Sequence, residues 1–373
     1  MVLDQDYETI DLNINMGPQH PSTHGVFRMV LSVDGELVID VEPVIGYMHR
    51  GGEKLLENLD YRQGIGIQDR TDYLAQFNCE QAYCMSAEKL AGFEVPERAE
   101  WIRTLCVEMN RISSHMMFLG AYGSDAGFFG TAFTYGFRER ERIQDIFEEW
   151  TGERLMYSYF RVGGVAWELP NGWQRKVREV LPLLRQGVKD FEGLLTENEI
   201  FIARTLNVGM ITADKAIEYG LTGPMLRACG VQWDLRREEP YSVYPKLQFD
   251  IPVGRQGDCY DRYIVRLREV EQSIRIIEQV LDMMPERGPI MAEKMPRMLR
   301  LPAGEVYART ENPRGEYGLY LVSKGGNKPY RMKVRSPCFC NLSALREMTI
   351  GEYLADAVMI LGSIDLVLCE VDR

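Results

Sequence analysis

Two histidines stand out because the residues around them exclude a helix. His20 and His24 lie four residues apart in NMGPQHPSTHGVF, residues 15–27. Proline fixes its own φ and pushes the residue before it towards extended backbone, so we expect residues 19–21 to form a rigid loop that presents both imidazoles. Imidazole titrates near neutrality. A carboxylate such as Asp125 beside His24 would therefore make a proton-handling pair.

Tyr73 is a second candidate for proton chemistry. It lies in IQDRTDYLAQF, close to a predicted helix start for which Asp69 or Thr71 is a plausible N-cap. An ordinary packing role would explain this tyrosine equally well. A phenol beside an imidazole is also what a quinone head group requires, because each carbonyl oxygen accepts a hydrogen bond and then a proton as electrons arrive. The residues alone leave both interpretations open.

Other chemistries have weaker support in the sequence. His20-x-x-x-His24 has the spacing of metal ligands, but structural zinc sites usually add a paired-cysteine knuckle. The eight cysteines contain no C-x-x-C pair and are typical of reduced thiols. No G-x-G-x-x-G after a strand and no G-x-x-x-x-G-K-[ST] is present, so we expect no nucleotide site. His115 lies at the flank of an apolar helix stripe, as a half-buried, hydrogen-bonded core histidine does.

Composition narrows the possible classes further. The chain has 373 residues, of which 45% are hydrophobic and 26% charged, as in globular proteins with a substantial core. The formal net charge of −12 argues against nucleic acid as a partner and suits assembly with other proteins. The acidic start MVLDQDYETI lacks the apolar segment of a secretory signal. No stretch reaches the roughly 18 uncharged apolar residues of a membrane span, so we expect any work at a membrane to go through partners.

Hydrophobic periodicity predicts an α+β chain. Residues 26–46 alternate around Asp34-Gly35, which favours a hairpin with a type I′ turn. Apolar residues recur at helical spacing in 100–120 and again in 263–281, whereas 303–343 alternate between turns and are predicted as strands. We expect one interlocked unit, 1–373, with a central multi-helix bundle and β subdomains at both ends. Its predicted parts are an N-terminal β region (1–50), a helical core (51–290), and a C-terminal β region with the end segment (291–373).

Several long motifs together resemble one family. They are GPQHPSTHGVFR, IGYMHRGGEKLLE, DRTDYL, FRERE, RVGGV, GDCYDRYIVRLRE and the terminal EVDR, spread from about Asn13 to Arg373. The chain is similar to the quinone-site subunit of respiratory complex I, the 49-kDa class of NADH:quinone oxidoreductase subunits. This family shares its fold with the large subunit of nickel-iron hydrogenases, which hold their metal with two C-x-x-C pairs. Because the end segment here offers Cys369 alone, the resemblance implies no metal centre, with the end of a quinone cavity in its place.

The resemblance also implies roles for individual residues. His24 and Tyr73 match the pair that hydrogen-bonds the quinone head group, and Asp125 matches the carboxylate partner of that histidine. Arg50 and Arg70 match arginines close to the last [4Fe–4S] cluster, which the small neighbouring subunit ligates.

Two further histidine matches and two departures complete the resemblance. His115 matches a histidine near that cluster, linked to its pH-dependent potential, whereas His20 and His49 match motif positions without assigned chemistry. After Asp125 the family usually reads close to GALTPFF, whereas this chain reads AGFFGTAF. Residues 285–303 are shorter than in many relatives.

The implied function is that of a subunit in the peripheral arm of a proton-pumping NADH:quinone oxidoreductase, on the cytoplasmic side of the cell membrane. It would form the quinone-reduction site with the small cluster-bearing subunit, contact other peripheral-arm and membrane-arm subunits, and bind no cofactor of its own. Two alternatives stay open: the same subunit in a ferredoxin- or deazaflavin-fed relative, or a purely structural scaffold for the cluster-bearing subunit. The retained His24, Tyr73 and Asp125 favour a quinone site over the scaffold.

Overall fold

The computed structural model describes residues 12–20 and 25–373, which form helices and several small sheets. This mixture confirms the predicted α+β class, whereas the relation to the hydrogenase large subunit stays a prediction. The strands are β1 (Leu12–Met16), β2 (Gln19–His20), β3 (Gly25–Val26), β4 (Arg28–Asp34), β5 (Leu37–Val44), β6 (Phe160–Arg161), β7 (Gly164–Val165), β8 (Leu301–Asn312), β9 (Gly315–Gly326) and β10 (Arg331–Arg335). The longer helices are α3 (Gln76–Ala91), α4 (Glu97–Gly123), α5 (Thr131–Thr151), α6 (Trp173–Phe191), α11 (Cys259–Met283) and α14 (Leu354–Ile364). The shorter helices are α1 (Gly52–Leu56), α2 (Gly64–Gln68), α7 (Glu199–Thr205), α8 (Ala213–Glu218), α9 (Pro224–Ala228), α10 (Leu235–Glu238), α12 (Pro337–Ser343), α13 (Leu345–Thr349) and α15 (Leu368–Asp372).

The N-terminal strands form an antiparallel sheet in the order β1-β4-β5. Along β4 the buried side chains alternate with half-buried ones, as expected of a strand with one face on the core. The predicted hairpin is confirmed, but its loop is Gly35–Glu36, because Asp34 still pairs with Leu37. Gly35 has a φ of 62° and Glu36 has no positive φ, so the expected type I′ turn at Asp34-Gly35 is wrong.

The helical core is built around α4 and α11, which confirm the two predicted helices. Nearly every residue of α4 is buried, because α3, α5 and α11 all pack against it. The approach of α5 to α4 requires a glycine: a Cβ on Gly136 would lie 2.5 Å from the carbonyl oxygen of Met116. This close crossing fixes the end of α4, where Asp125 follows.

The C-terminal strands form a second antiparallel sheet in the order β10-β9-β8. The prediction of strands over 303–343 is correct as far as Arg335 and wrong beyond it, where α12 begins. Ser336 starts this helix by accepting a hydrogen bond from the amide of Phe339 (3.1 Å), and Pro337 occupies the first helical position.

The end of the chain is buried against the loop that leaves the N-terminal sheet. The carboxylate of Asp372 in α15 accepts hydrogen bonds from the amides of Gly46 (2.8 Å) and Met48 (2.7 Å). Among the described helices, none is at once long and apolar enough to cross a membrane.

Candidate functional site

A cavity of about 380 Å³, which we call the Tyr73 cavity, lies where the end of α4 meets the segment before α3 and the segment after α14. Most of its wall is apolar, and Tyr73, Ser124, Asp125 and Asp365 supply the polar side chains. A largely apolar wall with a few convergent polar groups is typical of small-molecule sites. The lining residues are Gly25, Tyr73, Leu74, Met117, Phe118, Ala121, Ser124, Asp125, Phe129, Phe133, Asp365 and Leu366.

Tyr73 is held at the cavity by the turn that precedes α3. The side chain of Asp72 accepts hydrogen bonds from the amides of Leu74 (3.0 Å) and Ala75 (3.2 Å), and α3 begins at Gln76. The predicted N-caps, Asp69 and Thr71, are wrong, because the N-cap position of α3 is Ala75 and no side chain caps this helix; Asp72 instead holds the turn before it.

The phenol of Tyr73 can donate a hydrogen bond into the cavity. Among the described residues its hydroxyl has no hydrogen-bond partner. Burial raises the pKa of Tyr73 to about 12, so the phenol keeps its proton at neutral pH. It is available as a hydrogen-bond donor to a molecule in the cavity.

Asp125 enters the same cavity from a π-helical turn, Ser124–Phe128, which continues α4. Gly127 has a φ of 101° within this turn, a conformation that favours glycine. Such turns occur frequently at functional sites. Beyond it, Phe129 is 83% exposed and Phe133 is 37% exposed, so the rim of the cavity is aromatic and apolar.

His24 lies outside the described residues, but the residue that follows it lines the cavity. Gly25 has a φ of 135°, and a Cβ there would lie 3.0 Å from Cδ1 of Leu368. The structure thus brings Tyr73 and Asp125 together with Gly25, the sequence neighbour of His24.

A buried cation stands behind the wall of the Tyr73 cavity. The guanidinium of Arg266 lies 4.2 Å from the ring centroid of Phe118, and it donates to the carbonyls of Ser363 (2.8 Å) and Ile364 (3.1 Å). Burial lowers the pKa of Arg266 to about 10, which leaves it charged at neutral pH. Its Nε also lies 3.9 Å from Oδ2 of Asp365, a carboxylate that lines the cavity, so the cation behind the aromatic wall is paired.

Arg50 and Arg70 line a separate, smaller pocket of about 70 Å³, which we call the Arg50 pocket. Arg50 donates to the carbonyl of Arg70 (2.7 Å), and Arg70 donates to the carbonyl of Gly66 (2.5 Å). Cys369 and Arg373 from the end of the chain line the same pocket. Segments 68–74 and 365–373 contribute to both cavities, so they form the partition between them.

His115 lines neither cavity and is completely buried. Its Nε2 lies 2.9 Å from Glu269 Oε2, within what we call the buried charge cluster. Burial lowers the pKa of His115, while the hydrogen bond to Glu269 opposes this shift. The cluster comprises Glu108, Arg111, His115, Arg227, Asp234, Arg236, Glu269 and Glu311.

Sequence reasoning did not identify the carboxylates in the partition. Asp72, Asp365 and Glu370 are all buried there, with Arg314 donating to Asp72 Oδ2 (2.9 Å) and Asp365 Oδ1 (3.4 Å). We call these three residues and Arg314 the acid cluster. Asp72 lies in the motif DRTDYL and Glu370 in the terminal EVDR, but nothing in those motifs indicates that the two segments meet.

No combination of three or more histidine, cysteine or acidic side chains in the described residues is arranged to hold a metal ion. The eight cysteines are free thiols, and all but Cys340 are buried.

Comparisons with known proteins agree on one family. A sequence model described as "Respiratory-chain NADH dehydrogenase, 49 Kd subunit" matches residues 125–301 and 293–373. The chain is 50% identical over 365 residues to the D subunit of the NADH-quinone oxidoreductase of Carboxydothermus hydrogenoformans, covering 98% of this chain and 99% of that protein. The protein of the same name from Desulforamulus reducens is 51% identical over 98% of this chain and 99% of its own length. That from Geobacillus thermodenitrificans is 49% identical over the same shares.

Proposed function

Because the chain belongs to the family of 49 kDa subunits of respiratory-chain NADH dehydrogenases, we propose that its Tyr73 cavity receives the head group of the quinone that the complex reduces. The observation that carries this proposal is the meeting of Tyr73 and Asp125 in one cavity from distant parts of the chain. The relatives' names join NADH and quinone in one reaction.

The cavity suits a quinone in both polarity and shape. A quinone head group is flat and apolar apart from two carbonyl oxygens, so it needs an apolar slot and two hydrogen-bond donors. Phe118 and Leu366 supply apolar walls, and Tyr73 supplies one donor. The exposed Phe129 and Phe133 at the rim suit the apolar tail of a membrane quinone.

Proton transfer follows from the protonation states of the lining groups. Tyr73 donates its phenolic proton to one oxygen of the quinone as that oxygen gains charge, because a phenol with a pKa of about 12 stays protonated until a strong base forms beside it. His24 serves the other oxygen, and Asp125 orients and charges that imidazole.

The Arg50 pocket is the side from which electrons arrive in this proposal. The small neighbouring subunit would hold a [4Fe–4S] cluster that supplies the electrons, with Arg50 and Arg70 close to it. Both arginines are exposed, so they are accessible to a partner. His115, which lines neither cavity, keeps its proposed link to the potential of that cluster as a prediction.

We propose NADH as the electron donor of the assembled complex, in keeping with the relatives' names. Other peripheral-arm and membrane-arm subunits would complete the assembly on the cytoplasmic side of the membrane. A ferredoxin- or deazaflavin-fed complex would use the same cavity, since the donor binds elsewhere in the complex. A purely structural scaffold is less well supported, because docking the cluster-bearing subunit does not require a phenol and a carboxylate in one cavity.

The proposal is tested with Tyr73→Phe and His24→Ala in the intact complex. Each variant removes one polar partner of the head group and one route for a proton, so NADH-driven quinone reduction should fall by about 100-fold. Reduction of an artificial acceptor that takes electrons before the quinone site should stay normal.

Tyr260→Phe is the matched control. Tyr260 is a half-buried tyrosine on α11 whose hydroxyl donates to the carbonyl of Thr196 (3.2 Å), and it lines neither cavity. Its loss should leave both activities unchanged. Equal losses of both activities in Tyr73→Phe and His24→Ala would show that these residues serve assembly, and unchanged quinone reduction would refute the site.

A further inference from the structure

The partition between the two cavities contains a completely buried carboxyl group, that of Glu370, which pairs with no cation among the described residues. Asp72 directly precedes Tyr73, which lines the Tyr73 cavity, and Glu370 directly follows Cys369, which lines the Arg50 pocket. Both acids are completely buried. The acid cluster thus lies between the place where electrons are proposed to arrive and the place where quinone is proposed to bind.

The charges of the other members are matched without Glu370. Arg314 donates to Asp72 (2.9 Å) and to Asp365 (3.4 Å), and Arg266 Nε lies 3.9 Å from Asp365 Oδ2. Two carboxylates therefore face two guanidinium groups. An ion pair can be buried when its charges match, whereas an extra buried charge is very costly.

Glu370 contacts no cation among the described residues. The Cys338 thiol donates to its Oε2 (2.9 Å), and its Oε1 is buried without a partner. A carboxyl group in this position is favoured in its neutral, protonated form. Burial raises the pKa of Glu370 to about 7, and the charge of Asp72 acts in the same direction.

The groups that face Glu370 from the surrounding elements do not change this balance. Burial raises the pKa of the thiols of Cys79 on α3 and Cys338 on α12, so both stay neutral. The same holds for the phenol of Tyr317 on β9. The charged groups that act on Glu370 are Asp72 and Arg314.

We propose that Glu370 holds a proton in reserve behind Tyr73 and returns it to the tyrosine, through Asp72, after Tyr73 has protonated the reduced quinone. This proposal rests on the proposed function of the Tyr73 cavity. Glu370 touches no substrate, so it is a positioning residue for the proton and not a catalytic one.

The transfer is balanced in atoms and charge. Once Tyr73 has given up its proton, its phenolate is a strong base next to Asp72, and the O–H bond of Glu370 breaks while one forms on Asp72. The O–H bond on Asp72 then breaks as the phenolic O–H of Tyr73 forms again. No electron moves in these steps, and Glu370 regains a proton from solvent on the side of the exposed Arg50 and Arg70.

The test compares Glu370→Gln and Glu370→Asp in the intact complex. Glutamine keeps the size and neutrality of the protonated acid but has no exchangeable acidic proton, so quinone reduction should fall at least about tenfold. Aspartate titrates and should retain more activity than glutamine. In the wild type we expect a decline on the alkaline side of about pH 7, and this limb should be absent from the residual activity of Glu370→Gln.

Glu80→Gln is the matched control. Glu80 is also completely buried, and it accepts hydrogen bonds from the amides of Tyr159 (3.1 Å) and Phe160 (2.6 Å). It lines neither cavity and should keep the wild-type pH profile.

Infrared difference spectra give a readout that does not depend on any variant assembling. In time-resolved spectra of the wild-type complex, a carbonyl stretching band of a protonated carboxylic acid should disappear as quinone is reduced and return as Glu370 regains its proton, and this transient should be missing in Glu370→Gln. A wild-type spectrum without such a change would overturn the proposal, as would a Glu370→Gln complex with normal rate and pH profile. If Tyr73→Phe is impaired in the same series, such results would refute the proton reserve alone and leave the quinone site standing.

Discussion

The buried charge cluster and the acid cluster both contain carboxylates and arginines with no exposed side chain, but they match their charges differently. In the buried charge cluster every carboxylate contacts a guanidinium: Glu269 accepts from Arg227 (2.9 Å), as does Glu311 (2.8 Å). Glu108 and Asp234 accept from Arg236 at 3.2 Å and 2.6 Å. In the acid cluster, Glu370 accepts from the Cys338 thiol and contacts no guanidinium among the described residues.

The contrast extends to protonation. In the buried charge cluster, burial works against ionisation, but the charge of Arg227 and the hydrogen bond from His115 hold the pKa of Glu269 well below its usual range. In the acid cluster, burial prevails for Glu370 and raises its pKa. Matched charges fix the arrangement of α4, α11 and β8, whereas an unmatched acid can exchange a proton under physiological conditions.

The sharpest test of this contrast is removal of one charge from the buried charge cluster. Glu269→Gln leaves Arg227 with an incompletely compensated buried charge, and breaking such a pair costs about 3–5 kcal/mol of stability. We expect little assembled complex, or a clearly lowered thermal unfolding midpoint where it assembles.

Glu278→Gln is its control on the same helix. Glu278 pairs with Arg185 at 2.8 Å, but both side chains are substantially exposed. Exposed pairs contribute at most about 1 kcal/mol, so assembly and unfolding should be close to wild type. Normal stability of Glu269→Gln would show that the cluster is not a structural element and would remove the contrast.

In the Tyr73 cavity we expect the loss of a charge to lower activity and to leave stability unchanged. Asp125→Asn keeps the shape of a half-buried side chain but removes its charge, so His24 loses the group proposed to orient it. Quinone reduction should fall by about tenfold or more, with the unfolding midpoint unchanged. Asp282→Asn, an exposed substitution on α11, should change neither quantity. A loss of stability in Asp125→Asn with normal turnover of the remaining complex would place Asp125 with the structural charges.

The sequence predicted the helices and strands better than the contacts between distant segments. Periodicity was sufficient for α4, α11 and the first hairpin, because a helix stripe and a strand alternation are local properties of the chain. It failed for 337–343, where Ser336 and Pro337 start a helix inside a stretch that alternates like a strand. It also misplaced the start of α3, because Asp69 and Thr71 have the chemistry of an N-cap, but the helix begins only at Gln76, after Ala75 and without a side-chain cap.

The candidate site shows the same limit. Family resemblance supplied Tyr73 and Asp125 by motif, and the structure places both in one cavity. The acid cluster was missed because Asp72, Arg314 and Glu370 come from three distant segments. Their protonation depends on which carboxyl group contacts the arginine, and that is decided only by tertiary packing.

The smallest expected effect concerns His115, which belongs to the structural cluster by position but is proposed to tune a redox centre. A protonated imidazole near the neighbouring subunit's cluster favours its reduced, more negative form, so the midpoint potential falls as pH rises through the histidine's pKa. Burial lowers that pKa below the ordinary value of about 6.5, with Glu269 opposing the shift. Any pH dependence of the midpoint potential that is due to His115 is therefore confined to acidic pH.

We expect His115→Met, which keeps the bulk but cannot titrate, to flatten the plot of midpoint potential against pH below about pH 6.5 and to match the wild type above it. Potentiometric titration followed by electron paramagnetic resonance at several pH values measures both ranges on one sample. Identical slopes throughout, with a modest loss of stability from the missing bond to Glu269, would make His115 a purely structural member of the buried charge cluster.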